Sequence, residues 1–112
     1  MRSVKHQAGV ILAALGVLWM IPVFAGISLA RQSELLYLLE QDCGSCHGLT
    51  RRGGLGPPLT AQALTGKPAA MLREIILNGR PGTPMPPWKG LLNEREVDWL
   101  VHVLITDKTR AR

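Results

Sequence analysis

The sequence contains few cysteines: Cys43 and Cys46 are the only two in 112 residues. The absence of a second cysteine pair excludes a four-cysteine zinc site. One disulfide, part of another metal site and a covalently attached cofactor are the remaining choices. A domain of about 80 residues buries too little apolar surface to be comfortably stable. We therefore expect the disulfide, metal or cofactor at these cysteines to stabilise the fold.

The sequence also lacks internal repeats and the apolar–polar alternation that predicts β-strands. Apolar residues recur instead at spacings of three and four, which is typical of helices. A length of 112 residues allows one domain at most. The sequence therefore predicts a single all-α domain.

Charged side chains are absent from residues 8–30, which follow a short basic start. Small residues at Ser28 and Ala30 fit a signal-peptidase site, so residues 1–30 are predicted to be an export signal and residues 31–112 the domain. The uncharged run is also long enough to span a membrane, which makes an uncleaved anchor the alternative. Either interpretation delivers the domain across a membrane.

Capping residues predict where the helices of the domain begin and end. The predicted stretches begin at about residues 33, 60, 68 and 93, and the first three end near residues 46, 64 and 78. Ser33 is a plausible N-cap for the first helix, Pro68 opens the third stretch and Gly79 stops it. Asn93 caps the last helix, and Glu96 completes a capping-box pattern.

Apolar stripes support these helices, and proline and glycine mark the loops between them. The inward positions are predicted to be Leu36, Leu39 and Cys43, then Leu72, Ile75 and Ile76, then Val97, Leu100, Val101 and Leu104. Residues 48–59 and 80–90 are rich in glycine and proline and are predicted to be loops.

Cys43, Cys46 and His47 form a Cys-x-x-Cys-His motif, the spacing at which a c-type haem is attached. On a helical turn, cysteines three apart lie on one face, so both sulfurs can reach the two vinyl groups of one porphyrin edge. The alternatives are a redox dithiol, which expects a βαβ surrounding, and a disulfide across a loop too short to stabilise much. A third alternative is that the two cysteines form half of a zinc site. His102 is the only other histidine after residue 30 that could add a ligand to it.

Met85 is the candidate for a sixth iron ligand. It lies between Pro84 and Pro86 in a segment too stiff to form a helix, and such a segment is suited to hold one side chain in place. Thioether plus imidazole ligation gives iron a raised reduction potential, which is typical of electron carriers. His102 is a weaker candidate, because it lies in the middle of a helix and away from the apolar stripe.

The loop after the motif carries Pro57, ten residues beyond His47. A metal-binding histidine usually donates its other ring N–H to a carbonyl or carboxylate. The Pro57 carbonyl is one candidate for this acceptor. The alternative is that Gly56-Pro57 forms a turn and nothing more.

These motifs together resemble the class I cytochromes c of the short bacterial kind, over residues 33–106. The resemblance implies a fold of three main helices around one covalently bound haem c, with the first and last helices crossing. The site residues that it implies are the attachment cysteines Cys43 and Cys46, the iron ligands His47 and Met85, and Pro57, whose carbonyl accepts from His47.

More narrowly, residues 42–49, 53–57 and 78–88 are similar to NirC-type cytochromes, small monohaem proteins encoded beside the haem cd-type nitrite reductase. The similarity implies a periplasmic electron carrier, not an enzyme, that donates to nitrite reductase in denitrification. An electron-donating factor in maturation of the d-type haem is the second interpretation, and a gas-binding haem sensor the third. A monomer is expected.

Charge in the predicted domain is mild, with eleven basic and eight acidic side chains after residue 30. The two propionates of a haem would nearly cancel this excess, so nucleic-acid binding is not expected. Five cations come from loops that would flank the haem edge, and they either steer an acidic partner or are solvated loop charges. They are Arg51, Arg52, Lys67, Arg80 and Lys89.

Overall fold

The computed structural model describes residues 26–107, and all regular structure in that range is helical. The elements are α1 (Leu29–Leu38), a π-helical turn (Leu39–Cys43), α2 (Gly44–His47), α3 (Ala69–Asn78) and α4 (Glu94–Thr106). The all-α prediction is confirmed. Most of the predicted export segment, residues 1–25, lies outside the described residues. No helix within the described range is long and apolar enough to cross a membrane.

The first helix begins earlier than predicted. Its N-cap is Ser28, whose hydroxyl accepts a hydrogen bond from the backbone N–H of Arg31, so the prediction of Ser33 was wrong. Ser33 has the right side chain for a cap, but it lies in the second turn of a helix that already has one. The Ile27 side chain also packs against the core, and its carbonyl accepts from the Gln32 amide. The folded unit thus includes residues on the N-terminal side of the predicted boundary at residue 30.

A π-helical turn joins α1 to the motif helix and changes which side chains point inward. Leu35 and Leu39 are buried, whereas Leu36, predicted to face inward, is 41% exposed. The wider π turn carries one more residue than an α turn, so a stripe spaced strictly at three and four loses its phase there. Cys43, at the end of this turn, packs against the core as predicted.

Helix α4 begins after Asn93 and helix α3 ends at Gly79, both as predicted, whereas Pro68 is the N-cap of α3 and not its first helical residue. Asn93 and Glu96 exchange both hydrogen bonds of a capping box at the start of α4. All four predicted positions of α4 are buried, while α3 buries Leu77 most deeply and leaves Leu72, Ile75 and Ile76 half-buried. The shift arises because α3 meets the core mainly through its last turn.

The core forms where α4 packs against α3 on one side and α1 on the other. Its buried side chains are Leu35, Leu39, Leu64, Leu77, Leu92, Val97, Leu100, Val101 and Leu104. Glu96 adds a polar link between α1 and α4: one carboxylate oxygen accepts from Arg31 Nε at 2.7 Å and the other from the Asn93 N–H at 3.0 Å. The ends of the long helices are thereby joined beside the core.

Candidate haem site

His47 ends α2, and its side chain is buried. Its Nδ1 lies 2.7 Å from the carbonyl oxygen of Pro57, and since a carbonyl can only accept, Nδ1 is the donor. This hydrogen bond fixes the orientation of the imidazole and leaves Nε2 as the nitrogen for a metal. The structure therefore makes the contact that the sequence allowed, and Gly56-Pro57 is more than a turn.

The loop that carries Pro57 is held by the end of the motif helix. Backbone carbonyls near a helix C-terminus have no partner within the helix. Here the carbonyl of Cys46 accepts from the Gly56 N–H at 2.8 Å, and the carbonyl of His47 accepts from the Gly53 N–H at 2.8 Å. The motif thus folds its own following loop back onto the imidazole.

Glycine is needed at position 56 because the imidazole occupies the space of a side chain. A Cβ at Gly56 would lie 2.8 Å from both Cε1 and Nδ1 of the His47 ring. This distance is too short for any real carbon contact, and the ring is held by its hydrogen bond to Pro57. The loop backbone therefore packs directly against one part of the imidazole.

The two cysteines lie one helical turn apart and form no disulfide, with Cys43 half-buried and Cys46 exposed. Burial, together with the charge of neighbouring Asp42, raises the pKa of the Cys43 thiol to about 11. A redox dithiol expects a βαβ surrounding, and the regular structure of residues 26–107 is helical throughout, so the fold does not favour that alternative. Within residues 26–107, no three His, Cys, Asp or Glu side chains come together, so the zinc alternative lacks its ligands there.

Met85 is half-buried in the loop that follows α3. That loop is held in the same way as the first one, because the carbonyls of Ile76 and Leu77 accept from the N–H groups of Trp88 and Lys89 at 3.0 and 3.1 Å. Both loops with predicted haem contacts thus return to the C-terminal end of a helix. His102, the rival ligand, is exposed on α4 as predicted.

Arg51 was predicted to be a loop cation that steers a partner or is solvated, but its side chain is buried. It is 4% exposed, and its guanidinium lies 3.4 Å from the Asp107 carboxylate just after α4. Its φ is +61°, in the left-handed region that few residues other than glycine adopt. Nothing in the sequence distinguishes Arg51 from its exposed neighbour Arg52, because its partner lies more than fifty residues away.

The donor set fits a c-type haem. Two thiols spaced by one turn, a buried imidazole with Nε2 left for iron and a glycine that admits the ring are all in place. In the described residues, a dithiol lacks the βαβ surrounding that it expects and a zinc site lacks its ligands. The geometry points to haem attachment at Cys43 and Cys46.

Comparisons with known proteins agree with this site. Residues 30–102 match the family described as cytochrome c oxidase, cbb3-type, subunit III. Cytochrome c55X of Pseudomonas aeruginosa is 61% identical over 75 residues, which are 67% of this chain and 63% of that protein. Cytochrome c55X of Stutzerimonas stutzeri is 45% identical over 104 residues, 93% of this chain and 91% of that protein. The chain thus spans less than two thirds of the first relative and nearly all of the second.

A solved structure, the c-type cytochrome NirC, is similar with a TM-score of 0.71 at 56% identity, and the match covers 72% of this chain and 95% of that chain. The chain belongs to the NirC-type monohaem cytochromes. As a NirC-type cytochrome it carries one haem c, bound covalently through Cys43 and Cys46. The predicted cofactor and fold are confirmed.

One larger enzyme contains a domain like this NirC-type cytochrome. The structure of dihydro-heme d1 dehydrogenase NirN in complex with DHE is similar with a TM-score of 0.61 at 39% identity. The match covers 66% of this chain but only 16% of that chain. The cytochrome thus corresponds to a small part of an enzyme whose remaining length has no counterpart here.

Proposed function

We propose that this NirC-type cytochrome is a periplasmic one-electron carrier whose iron is ligated by His47 and Met85. The observation that carries the proposal is the docking of the Met85 loop on the end of α3, through Trp88 and Lys89. A loop fixed at the neighbouring backbone and stiffened by prolines holds one thioether in place in both oxidation states. Electron carriage needs such a site, because a ligand that does not move between oxidation states keeps the reorganisation energy of electron transfer small.

The residues of the chain have separate tasks in this proposal. The haem supplies the one-electron couple of its iron when bound. His47 donates from Nδ1 to Pro57, which raises the basicity of the ring toward the metal. Met85 supplies a weak thioether ligand, which favours the ferrous state and raises the reduction potential.

Carbon monoxide binding tests the ligand set and separates carriage from gas sensing. In the reduced holoprotein we expect no carbon monoxide adduct, because Met85 fills the sixth position. Met85→Ala should bind carbon monoxide and should lose the weak red charge-transfer band that ferric iron–thioether ligation produces. Met71→Ala is the control, since Met71 lies on α3 and is 41% exposed. A wild-type protein that binds carbon monoxide readily would favour the sensor, and an unchanged spectrum in Met85→Ala would exclude Met85 as ligand.

We further propose nitrite reductase as the acceptor of electrons from this cytochrome, in denitrification. The support is the membership in the NirC-type family, because the sequence resemblance to that family implies electron donation to nitrite reductase. The test mixes reduced holoprotein with oxidised nitrite reductase in a stopped-flow instrument and follows the reoxidation of haem c. Failure of the reduced cytochrome to react at micromolar concentrations would argue against this partner.

Maturation of the d-type haem is the second candidate, and the similarity to dihydro-heme d1 dehydrogenase favours it. A dehydrogenase removes electrons from its substrate, and in that enzyme a domain like this chain is part of the same polypeptide. By analogy, this cytochrome would accept electrons from such a reaction, whereas the sequence interpretation had it donate them. The test is reduction of ferric holoprotein by the dehydrogenase and its substrate.

A deletion strain separates the two candidates in the cell. Normal d-type haem content with lost nitrite reduction would favour electron delivery to nitrite reductase. Missing d-type haem, with the nitrite reductase polypeptide present, would favour maturation. Complementation with Met85→Ala then shows whether either role needs the proposed thioether ligand.

A further inference from the structure

The end of α3 and the Met85 loop lie in direct backbone contact. Gly79, the residue after the helix, is buried and adopts φ +71° and ψ −175°, a region that is essentially restricted to glycine. The next residue, Arg80, donates its N–H to the carbonyl of Met85 at 3.3 Å. The backbone of the proposed ligand therefore rests on the Gly79–Arg80 turn.

Space at Gly79 is occupied by that backbone. A Cβ at this position would lie 2.7 Å from the Met85 carbonyl oxygen, 2.9 Å from the Pro86 carbonyl carbon and 2.9 Å from the Pro87 nitrogen. All three are main-chain atoms of a proline-rich segment, so none can move aside as a flexible side chain would. A side chain at Gly79 would have to displace the residues on both sides of the Met85 thioether.

We propose that Gly79 is a positioning residue for the iron ligand Met85, a role that rests on the proposed ligation by Met85. Gly79 lets the loop lie against the end of α3, so the backbone that carries the thioether is held at that helix end. Substitution here should open the sixth coordination position and leave the attachment at Cys43 and Cys46 and the ligand His47 intact, because these residues belong to the π-helical turn and α2. The sequence had assigned Gly79 only to stopping the helix.

Gly79→Ala is compared with Gly82→Ala, a matched control in the same loop. Gly82 also has a positive φ, +77°, but a Cβ there meets nothing within 4 Å. Both variants therefore pay the backbone cost of alanine at positive φ, and only the first displaces the loop. The readouts on purified holoprotein are covalent haem content by mass, the red charge-transfer band of the ferric form, and carbon monoxide binding by the ferrous form.

We expect Gly79→Ala to keep one covalent haem, to lose the red band and to bind carbon monoxide, while Gly82→Ala behaves as wild type. Retention of the band by Gly79→Ala, or its loss in both variants, would overturn the positioning role. Met85→Ala runs in parallel: if it alone loses the band, Met85 is the ligand and Gly79 does not position it. If Met85→Ala keeps the band, the ligand proposal itself fails.

A second pair covers the case in which Gly79→Ala yields no holoprotein. Arg80→Pro removes the arginine side chain and the N–H from which the Met85 carbonyl accepts, and it also fixes φ at residue 80. Arg80→Ala removes the same side chain but keeps the N–H. The extended ψ of Gly79 is compatible with a following proline. Carbon monoxide binding by Arg80→Pro but not by Arg80→Ala would support docking of Met85 on this turn, and identical behaviour of the pair would overturn it.

Discussion

At Gly56, the missing side chain leaves room for the imidazole of His47, since an added Cβ would lie 2.8 Å from ring atoms Cε1 and Nδ1. The same ring donates to Pro57 at 2.7 Å. Orientation of the imidazole thus depends on a residue that makes no hydrogen bond to it. The geometry of the site therefore depends on a glycine without a side chain as much as on the residues that make hydrogen bonds.

Gly56→Ala should therefore weaken the His47–Pro57 hydrogen bond. We expect the Nδ1 proton of the reduced holoprotein to exchange with solvent about fivefold faster, as loss of roughly 1 kcal/mol of hydrogen-bond energy implies. Proton NMR of the imidazole N–H measures this rate. Gly90→Ala is the control, because a Cβ at Gly90 meets nothing within 4 Å. Equal exchange rates in the two variants would show that the loop yields to the added methyl group.

At the scale of the helix, the N-cap of α1 gives a sharp contrast between two serines. Ser28→Ala should lower the free energy of unfolding by about 1 kcal/mol, because the Arg31 N–H loses its acceptor. Ser33→Ala should change it little or raise it slightly, since Ser33 is exposed within the helix and alanine is the better helix former. Denaturant unfolding of holoprotein that retains residues 26–30 measures both. The reverse order would restore Ser33 as the cap.

A second prediction at this scale concerns pH and the link between α1 and α4. Hydrogen bonds from Arg31 and the Asn93 backbone hold the pKa of the Glu96 carboxyl below its usual 4.5. A lowered pKa in the folded state means that the stabilisation is present above pH 4.5 and is lost as the pH falls through the lowered value. Wild type should therefore exceed Glu96→Gln in free energy of unfolding at pH 7, and the difference should shrink in acid.

Unfolding curves of both proteins between pH 7 and about pH 3 test this prediction. Glu34→Gln is the control, because Glu34 also contacts Arg31 but its side chain is 64% exposed, and exposed pairs contribute little. A difference between wild type and Glu96→Gln that stays constant down to the acid limit would contradict the assignment.

Helices with local signals were predictable, and features that depend on distant contacts were not. The capping box of α4 and the glycine that stops α3 each depend on residues within a four-residue stretch of sequence, and both predictions are confirmed. The N-cap of α1 was missed because Ser28 had been assigned to the export segment. The π turn leaves no signature in composition, so Leu36 was placed inward in error.

The features of the haem site likewise divide into those with local sequence signals and those that depend on distant contacts. The spacing of the motif and the ten residues to Pro57 are local, and the hydrogen bond between His47 and Pro57 is present. The contact of Gly79 with the Met85 loop and the pairing of Arg51 with Asp107 arise only when separate elements meet. For this reason the sequence assigned Gly79 to a helix end and Arg51 to the surface.

Over the whole molecule, charge is segregated between the loops and the terminal helices. Residues 43–92 contain a single carboxylate, Glu74, and most of the acidic side chains lie in α1, the π turn and α4. Four exposed cations belong to the loops around the site, namely Arg52, Lys67, Arg80 and Lys89. An uneven distribution of this kind orients a small protein toward an acidic partner.

Electron transfer to an acidic partner should therefore slow as ionic strength rises. Arg52→Gln combined with Lys89→Gln should lower the association rate at low salt and reduce its dependence on salt, without changing the absorption spectrum. Arg95→Gln, an exposed cation on α4 outside the site loops, is the control. Stopped-flow rates measured across a salt series provide the comparison. A salt dependence that is identical in the three proteins would assign these cations to solvation alone.

Near-infrared magnetic circular dichroism of the ferric holoprotein tests ligation by His47 and Met85, because the energy of the charge-transfer band identifies the pair of iron ligands. We expect the band of a histidine–methionine pair, from His47 and Met85. A band of a histidine pair, which would implicate His102, or a high-spin spectrum with no sixth protein ligand, would contradict it.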